Sequence, residues 1–405
     1  MRILFLSHYF PPEVNAPATR TFEHCQQWVK AGHDVTVLSC VPHHPMGRVY
    51  PGYKNKFFQV EEKSGIKAIK VLTYVTANSG FLKRTLNYVF YMIMAILVAP
   101  FLSKADVVIS TSPQFFNGLA GYFVSRIKRC QWVLEIRDLW PESILAVGAI
   151  KNKRVIKFLE WLERFVYRKA DHIVPVTYAF KQHIKKHGGD ENKITVIRNG
   201  VNFDLFKFKE KDNDYAKKIG VENKFVASYV GTHGMAHGLT TILDAAEKLK
   251  NNSNIIFLMI GDGAEKQALV AEKNARKLEN IIMLDQQPKD AMPYIWSVSD
   301  VSLVLLKNQD LFLTVIPSKI FETMAMKKPI ILGVRGESQT LIEEGHAGIC
   351  IEPENADELV EAVTTLYENS QLYHQCAERG YEYVQANFDR KKLAKRFEEI
   401  LVSLN

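Results

Sequence analysis

The residues whose types and spacing point most directly to chemistry lie in the run Thr314-Val315-Ile316-Pro317-Ser318-Lys319-Ile320-Phe321-Glu322. Pro317 ahead of Ser318 suits the start of a helix, with Ser318 as its cap. Lys319 then stands in the first turn, where a positive charge opposes the helix dipole. An anion that neutralises the ammonium would explain so unfavourable a placement. Glu322 follows at i+3 and shares a face with Lys319. A carboxylate accepting two hydrogen bonds from ribose hydroxyls, beside a lysine on phosphates, makes a grip for a nucleotide. The same spacing also fits a solvated Lys–Glu pair on a helix surface.

Two glycine loops could complete such a grip. Gly231-Thr232-His233-Gly234-Met235-Ala236-His237-Gly238 follows the strand-like Phe225–Gly231, and Gly261-Asp262-Gly263 follows the strand-like Ile255–Gly261. Free backbone N–H groups at a strand–helix junction attract an anion, helped by the helix dipole. His237 could add a positive charge when protonated. Either loop alone suits a tight turn without ligand. Two at neighbouring strand ends point to a diphosphate cleft. The loop after the first strand, residues 11–17, lacks the G-x-G-x-x-G glycines, which argues against an NAD site there.

These loops need parallel strands behind them, and the chain supplies the pattern. Arg2–Leu6, Asp34–Ser39, Ala68–Tyr74, Asp106–Thr111, Gln131–Ile136 and His172–Thr177 read as strands between helical stretches. The alternation restarts at Phe225 and runs through Ile281–Leu284, Val301–Leu306, Pro329–Gly333 and Gly348–Ile351. Strands alternating with helices imply an α/β fold of two doubly wound parallel sheets, hinged near Asn199–Lys211. The length of 405 residues, with 47% hydrophobic and 24% charged, allows two domains.

Composition excludes other classes. The five cysteines are widely spaced and unpaired, which speaks against disulfides or a zinc knuckle. The apolar start Met1–Leu6 is too short for a signal-peptide core and reads as a first strand. Residues 1–200 carry 28 Lys+Arg against 14 Asp+Glu, whereas residues 201–405 carry 24 against 30. The basic excess therefore belongs to the first half and points to an anionic partner there. No nucleic-acid module or interleaved stacking aromatics appear, so a membrane surface is favoured over nucleic acid. Leu86–Leu102 is nearly all apolar between basic flanks and fits a buried helix, an interfacial helix or a short span. Lys151–Lys169 is basic and amphipathic, with Val155, Phe158, Leu159, Trp161, Leu162, Phe165 and Val166 on one broad face.

The order GTHGMAHGL, IGDGAE, PSKIFETMAMKKPII and GESQTLIEEGHAGICIEPEN resembles the second domain of family-4 retaining glycosyltransferases of GT-B fold. In the first half MRILFLSHYFPPE, AGHDVTVLS, RDLWPES, ADHIVPVT and VIRNGVN agree, so the resemblance covers essentially the whole chain. It is nearest to the branch that builds bacterial surface polysaccharides, and resembles the fucosamine transferases of O-antigen synthesis. The resemblance implies two Rossmann-like domains facing a central cleft. Residues 1–200 would bind acceptor and face the membrane, 201–389 would bind donor, and the helix 390–405 could return to the first domain.

Residue by residue, the resemblance implies donor contacts at Gly231, Thr232, His233, Gly234, His237, Gly261, Gly263 and Leu284. Thr314, Ser318, Lys319 and Glu322 complete that set. It implies catalytic roles for Asp138, Arg137, Glu322 and Lys319, and an acceptor side at Glu13, Asn15 and Arg20. The chain departs from the family pattern at several of these positions. The family's paired glutamates fall on Thr314 and Glu322, and its Arg and Lys near the glycine loop on Thr232 and His237. Arg137 replaces a histidine, and Asn15-Ala16 replaces Gly-Gly.

The implied reaction moves a sugar from a nucleotide-sugar, UDP-linked, to a lipid-linked saccharide, with retention of configuration. Such a site needs no metal or other cofactor, and no D-x-D stands in an acidic neighbourhood. The pair His43-His44 lacks a third metal ligand. The implied location is cytoplasmic, peripheral to the inner face of the cell membrane; oligomeric state is left open. Two other activities share the features: a non-hydrolysing nucleotide-sugar epimerase, which converts donor without acceptor, and a non-catalytic nucleotide-sugar sensor.

Overall fold

A computed structural model describes residues 1–76, 81–146, 150 and 152–404. The chain forms two compact units, Met1–Arg198 with Lys391–Asn405, and Asn199–Arg390.

The first unit begins β1 (Arg2–Leu6), α1 (Ala16–Lys30), β2 (Asp34–Cys40), β3 (Phe58–Lys63), β4 (Ile66–Val71) and α2 (Phe81–Val98). It continues β5 (Val107–Thr111), α3 (Phe115–Lys128), β6 (Gln131–Ile136), α4 (Glu142–Ala146), α5 (Lys153–Lys169), β7 (His172–Pro175) and α6 (Tyr178–Lys186). The sheet order is β3-β4-β2-β1-β5-β6-β7. Central β1 shows why the run ILFL after the exposed Arg2 is apolar throughout. Leu4 and Leu6 enter one core and Ile3 and Phe5 the other, so both faces are covered.

The parallel-sheet expectation needs one correction. β3 runs antiparallel to β4, with Lys63 opposite Ile66 across Ser64-Gly65. Both turn residues have positive φ, 55° and 75°, which matches the twist of a two-residue hairpin. The strand was missed because it is an exposed edge whose outward residues mix apolar Phe58 and Val60 with charged Glu62 and Lys63, so no apolar/polar alternation marks it.

The long apolar run is a packed helix with two apolar faces. Tyr88, Tyr91, Met94, Ala95 and Val98 are buried in the first unit's core, whereas Leu82, Leu86, Ile93 and Leu97 face outward, with Phe101 just beyond. It is long and apolar enough to cross a membrane by composition, but 39% of its most apolar stretch is already buried in the protein. The broad face of α5 is likewise divided. Leu159, Leu162 and Val166 are buried, while Val155, Phe158 and Trp161 point outward and Phe158, Trp161 and Phe165 stack in sequence. Lys151 lies outside the described residues.

The second unit contains α7 (Asn213–Ile219), β8 (Phe225–Val230), α8 (Thr240–Lys248), β9 (Ile255–Ile260), α9 (Lys266–Ala275), β10 (Ile281–Leu284) and α10 (Met292–Val298). There follow β11 (Val301–Leu305), α11 (Lys319–Ala325), β12 (Ile330–Gly333), α12 (Glu337–Gly345), β13 (Gly348–Cys350), α13 (Ala356–Glu368) and α14 (Ser370–Asn387). The parallel order β10-β9-β8-β11-β12-β13 puts β8 and β9 side by side, so the loops after Val230 and Ile260 emerge together. The last helix, α15 (Arg390–Ser403), belongs to the first unit from Lys391 onward. There Trp28 Nε1 donates to Ala394 O at 3.0 Å, and the Trp28 and Phe397 rings meet edge to face.

Candidate functional site

In the second unit the two glycine loops interlock. A Cβ at Gly261 would lie 1.8 Å from Gly231 O, and one at Gly263 would lie 2.4 Å from His233 O. Loop-to-loop contact therefore demands these glycines before any ligand arrives. The same contact corrects the assignment of amides to an anion. The Gly231 N–H donates to Ile260 O and the His233 N–H to Asp262 O, each at 2.9 Å. Among the described residues, the N–H groups of Thr232 and Gly234 in that same stretch have no such backbone acceptor and stay available to a phosphate.

Lys319 opens α11 and reaches to these loops. Its Nζ is buried, has no hydrogen-bond partner, and lies 3.9 Å from the centre of the Tyr229 ring. A Cβ at Gly231 would lie 3.0 Å from it, so the glycine leaves the ammonium its room. Burial lowers the Lys319 pKa to about 7, against the pull of Glu322. Burial raises the Glu322 carboxyl, while Lys289 and then Lys319 oppose the rise. Lys289, half-buried in the segment after β10, was not foreseen. It comes from another strand end, so spacing along the chain gave no sign of it. Tyr229 also escaped notice; its hydroxyl donates to Thr232 O at 2.8 Å and holds the loop over its own ring.

Two expectations for this region change, the charge of His237 and the cap by Ser318. Burial, followed by the Lys319 charge, pushes His237 down to about 4, so it is neutral near pH 7 and supplies no positive charge. His233 is buried with both ring nitrogens unpartnered and is also shifted toward the neutral form, by burial first. Ser318 precedes α11 in helical conformation and makes no capping bond, so the helix start stays open rather than closed by its own side chain. Thr314 ends a 3₁₀ turn and donates to Leu311 O at 3.0 Å. Leu284 ends β10, and its carbonyl accepts from the Gly261 N–H at 3.2 Å.

In the first unit, Arg137 and Asp138 follow β6. Ser112 Oγ accepts from both amides, at 2.6 and 3.1 Å, and Ser143 Oγ of α4 donates to Asp138 Oδ2 at 3.2 Å. Burial raises the Asp138 carboxyl to about 6. Arg137 Nε and Nη1 are buried without hydrogen-bond partners, and burial lowers the guanidinium to about 10 despite Glu135 nearby.

The three residues expected on the acceptor side have structural partners. Arg20 pairs with buried Glu135 at 2.9 Å and donates to the carbonyls of Ile197 and Arg198. Asn15 caps α1 by accepting from the Ala18 N–H at 2.9 Å. Glu13 Oε1 accepts from the His43 and His44 amides at 2.9 and 2.8 Å, leaving Oε2 unpartnered. The His43-His44 pair thus belongs to a loop held by Glu13.

Comparison with known proteins agrees with the two units. The family described as glycosyl transferase 4-like domain matches residues 15–200, and the family described as glycosyl transferases group 1 matches residues 210–383. An Escherichia coli K12 protein, WcaI, named as a glycosyl transferase of colanic acid biosynthesis, is 22% identical over 98% of each chain. The Campylobacter jejuni N,N'-diacetylbacillosaminyl-diphospho-undecaprenol alpha-1,3-N-acetylgalactosaminyltransferase is 22% identical, covering 58% of this chain and 61% of its own. Anabaena HepE, solved in complex with UDP-glucose, superposes with a TM-score of 0.72 at 17% identity over 100% of each chain.

Proposed function

The chain belongs to the GT-B glycosyltransferases of family 4, and on that premise we propose that it moves a sugar from a UDP-linked donor to a lipid-linked saccharide. The transfer retains anomeric configuration and serves the assembly of a bacterial cell-surface polysaccharide. The observation that carries this reading is the buried Lys319 Nζ beside Gly231, which rests on the Tyr229 ring and has no hydrogen-bond partner. A charge left without a partner in a desolvated position is costly unless a ligand supplies one. A diphosphate does so, with the Thr232 and Gly234 amides beside it.

Cleavage of the anomeric bond builds negative charge on the departing diphosphate. Donors already in place there lower the barrier, because none of them has to reorganise during the reaction. Glu322 takes the ribose hydroxyls, with Lys289 and Lys319 opposing the upward shift that burial gives its carboxyl. In this reading the ammonium and amides balance the leaving group's charge, and the donor step needs no metal or cofactor. Asp138 receives the acceptor hydroxyl's hydrogen bond, and Arg137 offers its two free donors to an anionic group of the acceptor. Arg20, Asn15 and Glu13 act through the loops they hold.

A UDP donor is supported by the UDP-glucose complex of the HepE structure, and a lipid-linked acceptor by the undecaprenol-linked substrate in the Campylobacter enzyme's name. The basic first unit, with its outward apolar residues on α2 and α5, supports peripheral binding at the cytoplasmic membrane face. Incubation with labelled UDP-sugars and bacterial lipid extract tests the reading. Label should pass into the organic phase, and NMR of the product should show the donor's anomeric configuration. An inverted linkage would refute retention, and water-soluble label alone would refute the lipid acceptor.

A further inference from the structure

We propose that the first unit binds one divalent transition-metal ion, of the Zn²⁺ class, through Glu163 of α5, His183 of α6 and His187 at the C-terminal cap of α6, with water completing the set and Glu142 of α4 holding the other ring nitrogen of His183. The ligand atoms of Glu163, His183 and His187 all lie within 4.8 Å of one another. A tetrahedral zinc site separates its ligands by about 3.4 Å, so modest side-chain movement closes the set. His183 and His187 are one helical turn apart, which puts both imidazoles on one face. That i, i+4 arrangement lets one helix offer two nitrogen ligands to a single ion.

The surroundings suit a cation. The Glu163 side chain is only 2% exposed, and a buried carboxylate requires a positive partner. His183 meets it through Nε2 at 2.8 Å and meets Glu142 through Nδ1 at 3.0 Å. His187 Nδ1 lies 2.9 Å from the His183 carbonyl. That bond orients the ring and leaves Nε2 with its lone pair available, as the outer partner of a metal-bound histidine does. Two imidazoles and one carboxylate favour Zn²⁺, Co²⁺ or Ni²⁺ over the oxygen-seeking Ca²⁺ and Mg²⁺. A divalent ion would also balance both carboxylate charges.

Ligation has a geometric requirement. The two rings are stacked, with centroids 4.0 Å apart and 21° between planes. A shared ion must lie in the plane of each ring, so one ring turns on binding. The proton that His183 Nε2 shares with Glu163 passes to solvent as the ion takes its place. Without an ion, His183 simply bridges the two carboxylates, and that is the rival account.

The ion would tie α5 to α6, and Glu142 on the Nδ1 side of the ligated His183 would bring α4 with them. Ser143, next to Glu142, bonds Asp138, so the ligation would also fix the position of Asp138. This consequence rests on the role proposed for Asp138; ion binding itself does not. Untagged, chelator-treated protein titrated with Co²⁺ provides the test, followed by its visible absorption, with Zn²⁺ followed by calorimetry. The expected result is one ion per chain, the intense absorption of a tetrahedral site, and roughly tenfold or greater loss of affinity in His187→Ala. His187→Ala leaves the Glu163–His183 bond in place, and circular dichroism checks that it folds. Absence of saturable binding at millimolar ion, or equal affinity in His187→Ala, would overturn the site. Variant-dependent binding in a protein that never turns over a nucleotide-sugar would keep the site and reject the transfer reading.

Discussion

Lys319 is the residue on which the donor reading turns. Lys319→Ala should lower kcat by about 10²–10³, the range for losing one preorganised donor at a developing charge, while thermal unfolding stays unchanged or improves. The pH dependence has a definite sign. With a pKa of about 7 in the free protein, the lysine is mostly neutral at pH 8. UDP binds its charged form and raises the pKa again. Binding at pH 8 should therefore take up close to one proton, and affinity should fall as pH rises above about 7. Calorimetry in two buffers of different ionisation enthalpy reads this directly, and Lys319→Ala should abolish the buffer dependence. Asp138, raised to about 6, should give kcat/KM an acid limb near pH 6, because only the ionised form accepts the acceptor hydroxyl. Asp138→Asn should lose both the limb and most of the activity. The Lys319–Glu322 pair was legible because its spacing is local to one helix turn. Lys289 and Tyr229 were not, since only strand order brings them to it. The Gly231 and His233 amides were misread because a glycine-rich loop looks the same whether its N–H groups face a ligand or a neighbouring loop.

At the scale of elements, the glycine loops and the returning helix make separate demands. Gly261 has φ of 152° and no room for a Cβ against Gly231 O. Gly261→Ala should destabilise the second unit by about 2–4 kcal/mol and weaken UDP binding, which paired denaturation and binding measurements would show. Trp28 is fully buried against α15, and Trp28→Ala should cost about 3–5 kcal/mol. Strand β1 was legible because burial on both faces writes an apolar run from Ile3 to Leu6, and β6 because Trp132, Val133 and Leu134 do the same in its middle. β3 was hidden by its edge position, although Ser64-Gly65 carried the hairpin signal. The pairing of His183 with His187 went unnoticed for a different reason. Only the adjacent His43-His44 was read as a candidate pair, whereas His183 and His187 meet because one helical turn, ending at the His187 cap, separates them.

For the molecule as a whole, charge and exposed apolar surface gather in the first unit. Helix α3 packs against both α2 and α5, and all three expose large apolar residues, including Leu97, Phe123, Ile127, Phe158 and Trp161. Anionic vesicles should recruit the protein at low salt, and Phe158→Ser with Trp161→Ser should reduce recruitment several-fold without loss of fold. Equal partition of the double variant would remove α5 from that surface. The charge asymmetry was legible by counting, but which face carries the apolar residues was not, because α2 and α5 each divide theirs between core and surface. The central claim is sugar transfer from a nucleotide donor. Its most direct test is release of free nucleoside diphosphate from a panel of UDP-, GDP- and TDP-sugars, with and without lipid extract, by wild type and Lys319→Ala. The account predicts release of UDP that requires the extract and nearly vanishes in the variant. Donor that is bound but never consumed, or a changed sugar still attached to its nucleotide, would contradict it.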